Sequence, residues 1–169
     1  GADQVAWGDW VGADGVLYAP QTPMLYDIYA VQRMYGTETT TRTGDTVYGF
    51  NSNIVGTTAA IFNFVQNKNP VLTIFDSAGS DTLDFSGWNT PSVINLAPGS
   101  FSSANSMTNN IAIAFSANIE NAVGGGGADT ITGNTLGNRL VGGAGDDTIY
   151  ALSGDDIIVG GLGNDSIDG

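Results

Sequence analysis

Residues 124–168 repeat a nine-residue phrase five times without insertion or deletion: GGGGADTIT, GNTLGNRLV, GGAGDDTIY, ALSGDDIIV and GGLGNDSID. The phrase has the form G-G-x-G-x-D-x-U-x, with U a large aliphatic residue. Its first six residues form a turn in which glycine supplies backbone angles closed to other residues. Its last three form a short strand whose U side chain points inward. Ile131, Leu140, Ile149, Ile158 and Ile167 hold U, nine residues apart each time. Two phrases close one coil, so alternate phrases stack on the same edge at the roughly 4.8 Å spacing of neighbouring strands. Asp129, Asp147 and Asp165 then line one edge, and Asn138 and Asp156 the other.

Such a ladder needs a counterion. Carboxylates about 5 Å apart repel by roughly 0.8 kcal/mol in water and about 3 kcal/mol at an effective dielectric of 20. The phrase matches the calcium-binding nonapeptide of parallel β-helices. Calcium is a hard cation taking six to eight oxygens, and stacked turns offer aspartate carboxylates with glycine carbonyls from two coils. Magnesium demands a tighter octahedron and suits a carbonyl cage poorly. A flexible glycine-rich linker with incidental acids would not keep U aliphatic and position six an acid or amide in all five phrases. The second phrase departs from the pattern, with Asn134, Leu136 and Asn138 where Gly, Gly and Asp belong. Its site is expected to be weak or empty.

Two outlying fragments echo the phrase. DSAGSDTLD, residues 76–84, keeps Gly at position four, Asp at six and Leu at eight, and reads either as another calcium turn or as an ordinary loop. Glu120, in NIENAVGGGG, is either a starter ligand or an exposed acid.

Composition narrows the function. With 17 acidic and 4 basic residues the formal net charge is -13, which argues against nucleic acid and anionic membrane as partners. Only 12% of residues are charged, so the acids are a selected set. No apolar run approaches the roughly 20 residues of a membrane span, and no signal peptide is recognised. The absence of cysteine excludes disulfides and thiolate chemistry, and the absence of histidine excludes a Ser-His-Asp triad and an HExxH zinc helix. Paired acids such as Asp146 with Asp147, or Asp155 with Asp156, suggest glycosidase chemistry, but neighbours along a strand point to opposite faces. No catalytic residue is assigned.

Upstream, Trp7, Trp10 and Tyr18 are the expected anchors of an irregular segment over residues 1–21. TPMLYDIYAVQRMYG predicts one helix over residues 23–35, with Thr22 as cap, Pro23 at the first helical position and Gly36 as the left-handed stop. Leu25, Ile28, Val31 or Gln32, and Tyr35 share a face that should pack on something. From Thr37 the period changes, and TVYGF, AAIFNFV, VLTIF, SVINL and IAIAF read as short strands. The expected fold is mainly β: a parallel β-roll preceded by short β-strands and one N-terminal helix.

Three stretches resemble the serralysin family of secreted bacterial zinc metalloproteases. TPMLYDIYAVQRMYG is similar to the last helix of that family's protease domain, TTRTGDTVYGFNS to the segment opening its C-terminal domain, and IENAVGGGGADTITGN to the start of its RTX β-roll. The resemblance covers essentially the whole chain in order. It implies that residues 1–36 are the tail end of the protease domain, 37–123 the strand-rich opening of the C-terminal domain and 124–169 an RTX roll, here expected to be truncated. The family's HExxHxxGxxH zinc helix and methionine turn have no match, so Zn2+ is implied only in a catalytic half that would precede Gly1. That half is the implied partner, present as a separate chain if the protein is nicked there.

Carried over by resemblance, a first calcium site would use carbonyls of Arg42, Gly44 and Thr46 with Asp76, Ala78, Gly79 and Asp81. A second would use Asn118 and Glu120 with Gly125, Gly127 and Asp129, with Asn118 replacing the family's usual threonine. Further Ca2+ ions would sit between repeats on Gly142, Gly143, Ala144, Gly145 and Asp147, and on Gly160, Gly161, Gly163 and Asp165, and more weakly near Gly154 and Asp156. The resemblance implies a secreted, extracellular calcium-binding module supporting folding, stability and export of its protease. The alternative is a free-standing RTX adhesin or surface-layer module, which would carry no protease helix.

Overall fold

The computed structural model describes residues 10–169, so the expected role of Trp7 lies outside the described residues. Two parallel sheets face each other across the roll. One runs β1 (Val47–Gly49), β3 (Thr82–Asp84), β7 (Asn121–Val123), β9 (Arg139–Ala144) and β11 (Ile157–Leu162). The other runs β4 (Val93–Asn95), β8 (Thr130–Thr132), β10 (Thr148–Tyr150) and β12 (Ser166–Asp168). A third sheet, β2 (Leu72–Ile74), β6 (Ile111–Ile113) and β5 (Phe101–Ser102), is parallel between β2 and β6 and antiparallel between β6 and β5.

The register is the one the nonapeptide demands. Ile131 lies opposite Ile149, which lies opposite Ile167, and Leu140 lies opposite Ile158. A slip of one residue would turn every U side chain outward, so a buried aliphatic row holds the register strongly. Ile131, Leu140 and Ile149 are fully buried, each contributing about 1.5–3 kcal/mol of apolar burial. Towards the last coil the cover thins, and Ile167 is 51% exposed.

The roll begins well before the repeats. Tyr48 pairs with Leu83, Leu83 with Ala122 and Ala122 with Leu140, while Ile94 pairs with Ile131. One continuous core joins these residues to the aromatic group of Phe64, Phe85 and Trp88, whose ring centroids from Phe64 to Trp88 stand 5.0 Å apart. The change of composition at residue 124 is therefore a change of sequence and not of structure.

Helix α1 (Leu25–Tyr35) starts two residues later than the sequence predicts. Asp27 Oδ2 accepts the N–H of Met24 at 3.1 Å and closes the first turn, whereas Thr22 Oγ1 accepts the N–H of Thr73 at 2.7 Å and pins β2. Gly36 stops the helix at a positive φ of 87°, but with ψ 163° it is not in the left-handed helical turn expected, and its N–H donates to the carbonyl of Gln32. Of the predicted face, Leu25 is buried and Ile28 and Gln32 are half-buried, Gln32 donating to Ser116 Oγ at 2.7 Å, but the alternative Val31 is 54% and Tyr35 82% exposed. AAIFNFV is not a strand. Its two alanines favour helix, and α2 (Ala59–Phe62) turns once before Asn63 leaves in extended conformation to bridge Gly49. Phe62 and Phe64 are both buried by this turn, an outcome that alternation alone reads as strand.

Candidate metal centres

Along the first edge each aspartate is held by the coil before it. The N–H of Ser92 donates to Asp129 Oδ1 at 2.7 Å, that of Asp129 to Asp147 Oδ1 at 2.8 Å and that of Asp147 to Asp165 Oδ1 at 3.0 Å. The second oxygen of each acid turns into its own loop. Asp129 Oδ2 accepts the N–H of Gly125 at 2.6 Å, but Asp147 Oδ2 is buried with no hydrogen-bond partner. A Cβ on Gly142 would collide with this oxygen and with the carbonyl oxygen of Gly160, so carboxylate and carbonyl converge where glycine leaves room. Gly143, at φ +116°, could carry no Cβ without striking the carbonyl of Gly125. The same stacking sets Gly145 over Gly127, Gly161 over Gly143 and Gly163 over Gly145. The N–H of Ala144 donates to the carbonyl of Gly125 at 2.8 Å.

The second edge repeats the scheme with longer loops. The N–H of Thr46 donates to Asp81 Oδ1 at 2.8 Å, that of Asp81 to Glu120 Oε2 at 2.8 Å and that of Asn138 to Asp156 Oδ1 at 2.7 Å. Asp81 Oδ2 is again buried and unpartnered. Gly79, at φ +137°, brings the carbonyl of Gly44 to 2.7 Å and Asp81 Oδ1 to 2.9 Å from where a Cβ would stand. The hydroxyl of Tyr48 donates to Asp76 Oδ2 at 2.7 Å, and the N–H of Ala78 donates to Asp76 Oδ1 at 3.2 Å. Arg42, at φ 50°, donates from its guanidinium to the carbonyl of Phe75 at 3.0 Å and lies 4.6 Å from the Phe62 ring centroid. The first predicted set is thus gathered in one place.

The second predicted set is not. Glu120 leads into β7 on the edge of Asp81, Asn138 and Asp156, whereas Gly125, Gly127 and Asp129 form the turn between β7 and β8 on the opposite edge. Asn118 is exposed. The physical reason is the coil itself: a strand separates the two turns, so residues on either side of β7 cannot share a site. Glu120 belongs with Asp81. Sequence reasoning also missed Ser92 as the first rung of the aspartate edge, although Ser92, Val93 and Ile94 repeat the spacing of Asp129, Thr130 and Ile131.

Burial pushes the Asp81 carboxyl up to about 7; the Thr46 N–H opposes this, and Asp76, Glu120 and Asp45 add to it. Burial likewise raises Asp129, against the N–H groups of Gly125 and Ser92. It raises Asp147 too, against the N–H of Asp129 and with help from the charges of Asp129, Asp165 and Asp146. Each of these sites wants a positive charge, as a proton or as a metal. Among the described residues no three acidic side chains form a metal-holding cluster, so a cation here must draw on main-chain carbonyls. Hard oxygen ligands, paired acids and glycine-lined carbonyls fit calcium.

A stack of parallel strands in two sheets, with aspartates and glycine carbonyls at its turns, defines the β-roll class. The family model described as the peptidase M10 serralysin C terminal matches residues 37–168, and the chain belongs to that family. It is 46% identical over 120 residues to serralysin of Proteus mirabilis, covering 70% of this chain and 24% of the relative. It is 44% identical over 127 residues to serralysin C of Dickeya chrysanthemi, covering 74% and 26%. To the metalloprotease AprA of Pseudomonas entomophila (strain L48) it is 43% identical over 133 residues, covering 78% and 27%. The chain spans about a quarter of the length of these relatives. Among the described residues, no helix is long and apolar enough to cross a membrane.

Proposed function

We propose that the chain is the calcium-binding C-terminal module of a secreted zinc metalloendopeptidase, and that calcium folds the roll. The observation that carries this reading is the pair of buried, unpartnered oxygens, Asp81 Oδ2 and Asp147 Oδ2, on carboxylates that stand beside close-packed glycine turns. Asp147 with carbonyls of the 142–145 and 160–163 turns would hold one ion. Asp76 and Asp81, with carbonyls around Arg42, Gly44 and Gly79, would hold another, with Glu120 next to Asp81. Bound calcium supplies a divalent charge that these oxygens share.

An ion that binds only the folded state adds about 2.7 kcal/mol when free calcium is a hundredfold above its Kd. Calcium is scarce inside cells and plentiful outside, so the module stays unfolded for export and folds after it. The exposed face of α1, with Tyr26, Val31, Met34 and Tyr35, is the surface we assign to the catalytic half. With no histidine in this chain, zinc belongs to that half.

Far-ultraviolet circular dichroism of chelator-treated protein, titrated with calcium and separately with magnesium, tests the reading. A cooperative gain of β signal with calcium alone is expected. A spectrum already β-rich in chelator and indifferent to calcium would refute it.

A further inference from the structure

The second phrase keeps the backbone frame of the aspartate turns. The N–H of Asn134 donates to Asn138 Oδ1 at 2.8 Å, as that of Gly125 donates to Asp129 Oδ2 at 2.6 Å. The N–H of Asn138 donates to Asp156 at 2.7 Å, as that of Asp129 donates to Asp147 at 2.8 Å. The other arm of the side chain differs. Asn138 Nδ2 donates to the carbonyl of Glu120 and to Asn134 Oδ1, each at 3.0 Å. Asn134 Nδ2 donates to the carbonyls of Ile119 at 2.9 Å and Leu96 at 3.2 Å. Turning either amide over would set oxygen against oxygen, so the partners fix both orientations.

Both asparagines are buried and every polar atom of their side chains has a partner. That is the reverse of Asp81 and Asp147, whose Oδ2 atoms have none. A cation needs oxygens with lone pairs to give, and here amide protons take the lone pairs of three main-chain carbonyls. We infer that this turn, residues 133–138, is closed by its own two amides and takes no calcium. The amides donate to carbonyls of Leu96, Ile119 and Glu120 outside the turn, and so occupy main-chain oxygens as a cation would elsewhere in the roll. The inference rests on the calcium reading of the aspartate turns. Its consequence is a metal-independent clasp within a metal-dependent array, tying the turn to Leu96 beside β4 and to Ile119 and Glu120 before β7.

Asn138→Asp would place a carboxylate oxygen at hydrogen-bond distance from the Glu120 carbonyl, two acceptors facing each other as in a site that calcium bridges. The test counts calcium ions bound per chain by isothermal titration with calcium chloride, using the parent chain, Asn138→Ala and Asn138→Asp. Far-ultraviolet circular dichroism gives the calcium midpoint of folding.

The alanine variant is expected to bind as many ions as the parent and to melt at a lower temperature in saturating calcium. The aspartate variant is expected to bind one ion more, with its folding midpoint moved severalfold towards higher calcium. An alanine variant that binds one ion fewer than the parent would make this turn a calcium site and overturn the inference. So would an aspartate variant unchanged in both count and midpoint, a result that still decides the matter if the alanine variant does not fold. A parent that binds no calcium would refute the reading of the aspartate turns instead. The clasp would then be judged by melting alone, and an alanine variant as stable as the parent would overturn it.

Discussion

The backbone N–H of Asp129 donates to Oδ1 of Asp147 at 2.8 Å, across one complete coil of the roll. This bond fixes one carboxylate oxygen and leaves the other, Oδ2, buried without a partner. The geometry of the fold therefore prepares the ligand, and the aspartate cannot turn away to water without breaking the rung. A buried acceptor left unsatisfied costs about 1–3 kcal/mol.

Asp147→Asn puts a neutral amide where that oxygen stands. In chelator the variant should be more stable than the parent, by roughly 1–3 kcal/mol. With calcium it should bind one ion fewer and lose the advantage. The folded fraction by circular dichroism in chelator, thermal melts in calcium and a count of bound ions check both halves. A variant less stable in chelator would mean the carboxylate already has a partner.

The acids also set the pH dependence. The folded-state pKa of Asp81 is raised from 3.8 to about 7, and those of Asp129 and Asp147 are also raised. A raised folded pKa stabilises the fold below the unfolded value, and that contribution is lost as pH rises through the folded value. Calcium-free protein should accordingly show more β signal by circular dichroism at pH 5 than at pH 8. Saturating calcium should reverse the trend, because protons then compete with the metal. Circular dichroism across this range in chelator, and melting curves in calcium, read the sign directly.

Gly143 and Gly44 make a matched pair. At Gly143, φ is +116° and an added Cβ would strike the Gly125 carbonyl, whereas at Gly44 nothing lies within 4 Å. Gly143→Ala should cost at least about 1–3 kcal/mol from backbone strain, with the steric clash in addition. Gly44→Ala should stay within about 0.5 kcal/mol. Denaturant melts in calcium compare the two, and equal effects would remove the close approach of coils from the account.

Helix α1 is docked by its first turn. Leu25 is 1% exposed and Tyr35 82%. Leu25→Ala should cost about 2–5 kcal/mol, and Tyr35→Ala should leave stability within about 0.5 kcal/mol. Equal losses in thermal melts would show that the end of the helix packs on this chain.

What the sequence made legible follows from period. Ile131, Ile149 and Ile167 stand in register because an aliphatic every nine residues admits only one stacking. Tyr48, Leu83 and Ala122 belong to the same sheet as Leu140, yet loops of unequal length separate them, and no period announces it. The gathering of Asp76, Ala78, Gly79 and Asp81 with Gly44 and Thr46 was legible from resemblance. The edge on which Glu120 stands was not, because that depends on which turn precedes β7. Thr22 reads as a helix cap from sequence alone; only the fold brings the N–H of Thr73 to its hydroxyl. The amide closure at Asn134 and Asn138 needs the carbonyls of Leu96, Ile119 and Glu120, and their approach is a property of three dimensions.

The most direct test is anomalous diffraction from crystals of the protein grown in calcium. The account predicts calcium peaks at about 2.3–2.6 Å from Asp147 Oδ2 and from Asp81 Oδ2. It predicts none beside Asn138. A folded roll in calcium with both carboxylate oxygens facing only protein or water would contradict it.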